Sequence, residues 1–357
     1  MRTHLRTAAV SLLAIALLAW FLRSADFGAV WVAVRGASLG RLGIALVLVA
    51  VSYWMRAVRW QYLLAPIGPT RFRSALRATV IGFAASFILP ARAGDVLRPY
   101  LLARNEGLRP TATFATIVVE RVLDLIAVLA LLAVFVWGSA SRSVPASLLA
   151  PIRLSATLAA AAAVVLMGMM FVLASHPERV GNVVRGLNRV LPHRIADALA
   201  GLARTFSEGL AVARTPRPLI LALVWSFPLW VLIAVEAWVV TQAFGIDMPL
   251  TGSFLLQALL VIGVAVPTPG AVGGFHEAYR FGVTTFFGAS NDSAVAAAIV
   301  LHAISFVPVT LVGLLFMAGE GLNVGRLRGL SDVAHEAETH HLETGTNEVP
   351  VLRPSGR

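Results

Sequence analysis

Residues 112–137 read ATFATIVVERVLDLIAVLALLAVFVW. A helix rises about 1.5 Å per residue, so this run exceeds the about 30 Å hydrocarbon core of a bilayer. Three charges interrupt it. Glu120 would lie about 12 Å along the axis from Ala112 and Asp124 four residues further on the same face, with Arg121 beside Glu120. Unpaired charges at that depth cost several kcal/mol each, so they must meet one another, a neighbouring helix or a wet cavity. Two readings follow: an ion network bolting helices together, or a carboxylate coupled to protons.

The rest of the chain agrees with a bilayer as solvent. Of its 357 residues 58% are hydrophobic and 13% charged, and the mean hydropathy is +0.81, values that a water-soluble fold of this size does not present. Apolar runs extend over Ala8 to Leu22, Leu42 to Met55, Ala112 to Trp137, Leu154 to Ala174, Leu219 to Phe244 and Ser293 to Ala318. These six predict spans, the first uncleaved despite its signal-like charged start. Two shorter runs, Ala78 to Leu89 and Phe254 to Val266, stop at Pro90 and Pro267 and lead into glycine-bearing, charged segments. They read as re-entrant half-helices.

Charge placement sets the expected orientation. All 29 basic residues are arginine, and the net charge is +11. With both short runs re-entrant, the loops holding Arg56 to Arg77 and Arg92 to Arg109, the linker from Arg179 to Arg217 and both termini become cytoplasmic, as the positive-inside rule asks. The host is then a bacterial-type inner membrane. Because the arginines sit in short loops between apolar runs, orientation and anionic lipid account for them, and nucleic acid is set aside. Guanidinium also forks onto phosphate oxygens, which suits a phosphate-bearing partner.

An internal repeat is visible. Gly68 and Pro90 recur 177 residues later as Gly245 and Pro267; Gly107 and Ala112 recur 181 residues later as Gly288 and Ser293. The span before the first half-helix runs inward and its counterpart outward, so the halves form an inverted repeat, a plan of many secondary transporters. The expected organisation is an N-terminal span and outer loop (1–39), a first membrane repeat (40–174), a basic amphipathic cytoplasmic linker (175–217), a second repeat (218–320) and a disordered cytoplasmic tail (321–357).

Candidate site residues cluster at the breaks. Arg92 and Arg98 could fork onto a phosphate with Asp95 orienting one of them; an Asp95–Arg98 ion pair is the plainer reading. Gly270, Gly273 and Gly274 let backbone turn or approach a ligand, and Glu277 follows as a charge acceptor. Trp54, Arg56, Arg59 and Trp60 read either as an interfacial anchor or, for Arg56 and Arg59, as part of the headgroup site. Glu236, inside an apolar run, requires a partner, for which Arg59 and Arg121 are the candidates.

Several chemistries are excluded or unsupported. The chain has no cysteine, which removes disulfides, thiolate nucleophiles and Cys-based metal sites. His335, His340 and His341 lack ligand spacing, Gly319-x-Gly321-x-x-x-Gly325 follows no strand, and no P-loop occurs. Neither a cofactor nor a metal is implied. Asp95 and Glu277 are the only acids placed for a transferase, and a non-enzymatic role is expected.

Arg56-x-x-Arg59-Trp60, Leu89-Pro90-Ala91-Arg92-Ala93-Gly94-Asp95-x-x-Arg98, Glu120-Arg121-x-x-Asp124 and Pro269-Gly270-x-x-Gly273-x-Phe275-x-Glu277 together resemble the lysylphosphatidylglycerol synthase transmembrane-region, or flippase-like domain, family. The likeness covers about Leu42 to Gly321. It implies a lipid flippase-like module for an anionic phospholipid or a polyprenyl-phosphate lipid, or a non-transporting membrane partner of a synthase or glycosyltransferase. The fused aminoacyl-transferase domain of the multiple peptide resistance proteins has no counterpart expected in the short polar stretch after Gly321. His276 stands where the family pattern has glycine-phenylalanine-glutamate directly.

Overall fold

The computed structural model describes residue 12 and residues 15–89, 93–138, 145–185, 193–266 and 268–319. Among the described residues every regular element is helical. They are α1 (Ile15–Leu22), α2 (Phe27–Gly36), α3 (Leu39–Leu64), α4 (Phe72–Ile88), α5 (Gly94–Glu106), α6 (Pro110–Trp137), α7 (Ala146–Ser175), α8 (Pro177–Arg185), α9 (His193–Gly209), α10 (Pro216–Ala243), α11 (Gly252–Ala265), α12 (Gly274–Phe287) and α13 (Asn291–Gly319). Pro90, Arg92, Pro267 and the polar tail with its three histidines lie outside the described residues.

Four helices, α3, α7, α10 and α13, are long and apolar enough to cross a membrane, or five spans if the α1–α2 pair, bent by 84°, counts as one. Asp26 causes that bend to be stable: its carboxylate accepts from the amides of Gly28 (2.8 Å) and Ala29 (3.2 Å), capping α2 and interrupting what the first apolar run continues. The 28-residue α6 is as long as these spans but carries the three charges noted above. Leu154, Leu158, Val164 and Val165 on α7 point away from the protein, each more than 60% exposed, a surface that lipid covers at no cost. With this array of apolar helices the chain is a multi-pass membrane protein.

The two groups α3–α6 and α10–α13 have the same order of elements and the same punctuation. Gly107 ends α5 with φ 68° and Gly288 ends α12 with φ 65°. Beyond each glycine the next amide turns back on its helix, Leu108 N to Ala103 O at 2.9 Å and Ala289 N to Val283 O at 3.1 Å, as left-handed C-caps do. Each group also holds a helical hairpin closed by a glycine pair. A Cβ on Gly94 would collide with the Gly82 carbonyl, and one on Gly274 with the Gly263 carbonyl. Backbones touch there because no side chain intervenes.

The groups interlock. α3 lies along α10, while α4 packs on α13 and α11 on α6, so each hairpin is buried against the long last helix of the other group. Between the groups lie two further helices, α8 and α9. α9 sits over the start of α6, where Gly209 meets the Ala112 backbone and Arg109 pairs with Glu208 at 2.6 Å.

Candidate functional site: a buried arginine–carboxylate cluster

The charges of α6 meet α3, α5 and α10. Arg59, one of the largest fully buried side chains, donates Nη1 to Asp124 Oδ1 and to Ser226 Oγ on α10 at 3.1 Å; its Nη2 stands 3.3 Å from Glu120 Oε1. Arg98 of α5 donates to the same Glu120 oxygen at 2.9 Å, as does Arg121 at 3.1 Å. Trp230 Nε1 donates to Asp124 Oδ1 at 2.7 Å. The Arg98 guanidinium lies 3.9 Å above the Trp60 ring, and Trp60 is fixed in turn by donating to Thr116 Oγ1 at 2.9 Å.

Within ion-pair distance three arginines face two carboxylates, an excess of one guanidinium over the α6 acids, while Asp95 acts on Arg121 from further away. Arg121 is the cluster's exposed edge, with a side chain 38% accessible beside the nearly sealed Arg59, Arg98 and Glu120. Among the described residues several groups have no hydrogen-bond partner: Arg59 Nε and Nη2, Arg98 Nε and Nη2, Arg121 Nε, Glu120 Oε2 and Asp124 Oδ2. Unmade bonds on buried charged groups cost a few kcal/mol each. The guanidinium excess and these N–H groups together suit an anion.

Arg56 lies one turn before Arg59. Among the described residues no carboxylate comes within ion-pair distance of it; instead it lies over rings, Phe83 at 4.9 Å, Tyr53 at 5.8 Å and Trp230 at 6.0 Å. Glu236 of α10 accepts from Ser305 Oγ on α13 at 2.6 Å, and Arg56 is the cation that acts on it. The expected partners, Arg59 and Arg121, are instead taken by Asp124 and Glu120. Glu236 and Ser305 stand at the repeat offsets of 177 and 181 from Arg59 and Asp124, so the same helix-to-helix contact is ionic in one half and a neutral-donor bond in the other.

The interfacial-anchor reading of residues 54–60 fits Trp54 alone, which is 47% exposed; Arg59 and Trp60 are fully buried, because this end of α3 is covered by α4, α6 and α10. Arg92 lies outside the described residues. Asp95, in the first turn of α5, lies within electrostatic reach of Arg121, and Arg98 turns to Glu120.

The glycine-rich return of the second hairpin is a separate place. Gly270 (φ 62°) and Gly273 (φ 86°) adopt left-handed backbone, and Gly274 serves the contact with α11. His302 Nε2 meets the Gly270 carbonyl at 2.7 Å. Glu277 receives both Arg280 nitrogens, at 2.6 and 2.9 Å, and Arg280 reaches Asn291 at 3.0 Å. The structure thus brings Arg59, Arg98, Glu120, Arg121 and Asp124 together, with Arg56 near Glu236, and gives Glu277 an ion pair of its own.

Ser226, Trp230 and Trp60 complete the cluster without having been foreseen in that role. A small polar residue within an apolar span is the one sequence signal that marks Ser226.

This membrane protein, with hydrophobic spans, two hairpins and a buried arginine–carboxylate cluster, belongs to the lysylphosphatidylglycerol synthase TM region family, whose model matches residues 7–313. Among curated proteins it is 28% identical over 295 residues to one named glycosyltransferase AglD from Haloferax volcanii, a match that covers 75% of this chain and 47% of that relative. The chain therefore spans about half the length of that protein. It is also 25% identical over 340 residues to a UPF0104 membrane protein of Methanothermobacter thermautotrophicus, with 88% of this chain and 93% of the relative covered. A second UPF0104 membrane protein of that organism is 24% identical over 259 residues, covering 66% and 71%.

Proposed function

We propose that the chain binds an anionic phospholipid or lipid-linked intermediate through the arginine-rich cluster and moves it between leaflets. The observation that carries this reading is the cluster's excess of guanidinium over the α6 acids, with N–H groups that have no hydrogen-bond partner among the described residues, on helices whose outer surfaces are apolar. In this reading the α4–α5 and α11–α12 hairpins are re-entrant and open to opposite faces of a bacterial-type inner membrane, both termini are cytoplasmic, and the two halves are an inverted repeat. Their reciprocal packing supports rocking of one half against the other around a central site. Glu236 and the α6 carboxylates balance or gate the charge, and no catalytic role is assigned.

A second reading is favoured by the name of one relative, a glycosyltransferase: the chain binds the lipid without moving it and serves a synthase or glycosyltransferase. Reconstitution separates the two. Purified protein in liposomes should accelerate leaflet exchange of fluorescent phosphatidylglycerol, and Arg98→Lys, which keeps the charge but loses the planar fork and the face on Trp60, should slow it at least tenfold. Lipid binding without exchange supports the second reading. Exchange and binding both indifferent to Arg98→Lys and to Arg59→Lys would remove the cluster from any lipid site.

A further inference from the structure

A second concentration of arginine lies at the open end of the α4–α5 hairpin, away from the cluster. Arg71, Arg73 and Arg77 occupy the N-cap and first turns of α4, and Arg104 the last turn of α5. They line a cavity of about 920 Å³ with Phe72, Ser74, Leu101 and Asn105, a size usual for small-ligand sites. Among the described residues only Arg71 has a carboxylate: its Nε meets Glu106 Oε1 at 3.0 Å, and its Nη2 reaches the Asn105 carbonyl at 3.4 Å. Arg77 lies 5.8 Å from the Phe316 ring. Among the described residues no carboxylate lies within ion-pair distance of Arg73, Arg77 or Arg104.

Local electrostatics run against the fold here. The N-terminus of a helix is its positive end, so three arginines there oppose the macrodipole. Arg73 and Arg77 are four apart on one face, where like charges repel. The N-cap makes no side-chain hydrogen bond. Glu106 relieves part of this, its carboxylate accepting from the Arg71 amide at 3.3 Å as well as from the Arg71 side chain; an anion seated in the cavity would relieve the rest.

We infer that this cavity is a binding site for a diphosphate group, the headgroup class that four arginines less one glutamate select. The local balance is three positive charges. A phosphodiester supplies one negative charge and leaves two guanidinium groups unmatched, whereas a diphosphate supplies two to three and enough oxygens for forked pairing with each free arginine. The inference deepens the lipid reading by naming the substrate class; it does not require movement between leaflets.

The test titrates detergent-purified full-length protein with orthophosphate, inorganic pyrophosphate and geranyl diphosphate by calorimetry. Pyrophosphate should bind at least tenfold more tightly than orthophosphate. The triple variant Arg73→Lys, Arg77→Lys, Arg104→Lys, which preserves charge and positive-inside bias, should lose tenfold or more of that affinity. Loss of affinity in Arg98→Lys with none in the triple variant would place the anion in the buried cluster and overturn the inference, so that failure here and failure of the buried cluster are told apart. Geranyl diphosphate binding tenfold more tightly than pyrophosphate identifies a lipid source; equal affinity identifies a soluble diphosphate at the same site. Affinity no greater than for orthophosphate, or unchanged in the lysine variant, overturns the inference and leaves these arginines a topological role.

Discussion

Glu120 and Arg98 share a hydrogen bond, yet removing one is expected to do far more harm than removing the other. Glu120 Oε1 faces three guanidinium groups at 2.9, 3.1 and 3.3 Å. Glu120→Gln leaves Arg59, Arg98 and Arg121 against Asp124 alone, and Arg98 retains only the Trp60 ring. Leaving a buried charge uncompensated costs about 3–5 kcal/mol. Arg98→Gln, by contrast, leaves two arginines with two carboxylates. It loses one charge-assisted hydrogen bond, roughly 1.5–3 kcal/mol, and relieves the guanidinium excess at the same time, so the net cost should be less than about 2 kcal/mol. The double variant should be milder than the sum of the two by about 1–3 kcal/mol, a coupling of the size found for contacting residues. Thermal unfolding of detergent-purified variants, with monodispersity followed by size exclusion, gives the ranking. Arg98→Gln proving as destabilising as Glu120→Gln, or simple additivity in the double variant, would refute the charge-balance reasoning.

Two further outcomes are expected. Gly94→Ala places a methyl group against the Gly82 carbonyl, which cannot yield without separating the hairpin, and should sharply lower folded yield; Gly168→Ala, in open space within α7, should be neutral or stabilise by up to about 1 kcal/mol. For orientation, cysteines introduced at Asn105 and Ser290, both exposed, should react with an impermeant thiol reagent from opposite sides of sealed vesicles. Reaction of both from one side would sink the inverted arrangement.

Much of the architecture was legible because lipid solvent makes apolar length a direct signal. α7, α10 and α13 begin or end within a few residues of positions where the composition changes. Proline and glycine located the breaks, since α5 and α12 both stop at a glycine that must be left-handed. α2 escaped notice because its beginning is a matter of one capping carboxylate, Asp26, and not of hydropathy. The α6 charges announced a network, but not its partners: whether Arg59 faces water or Asp124 depends on which helices cover α3, and a single sequence does not contain that. Glu236 illustrates the same limit. Its position opposite Arg59 in the repeat was readable, while Ser305 became its partner only through the packing of α10 on α13.

The exchange of hairpins between halves sets a timetable for biogenesis. α4 and α5 leave the ribosome about 200 residues before the end of α13, the helix that covers α4; at about 5–20 residues per second this is a wait of roughly 10–40 s. During that interval the first half already holds Arg59, Arg98, Glu120 and Asp124 and can assemble its ion pairs, but one flank of the hairpin has no protein neighbour. Truncation before α13 therefore leaves a nascent chain with its ion pairs formed and its wall missing, a form on which membrane insertion factors and quality-control proteases would compete.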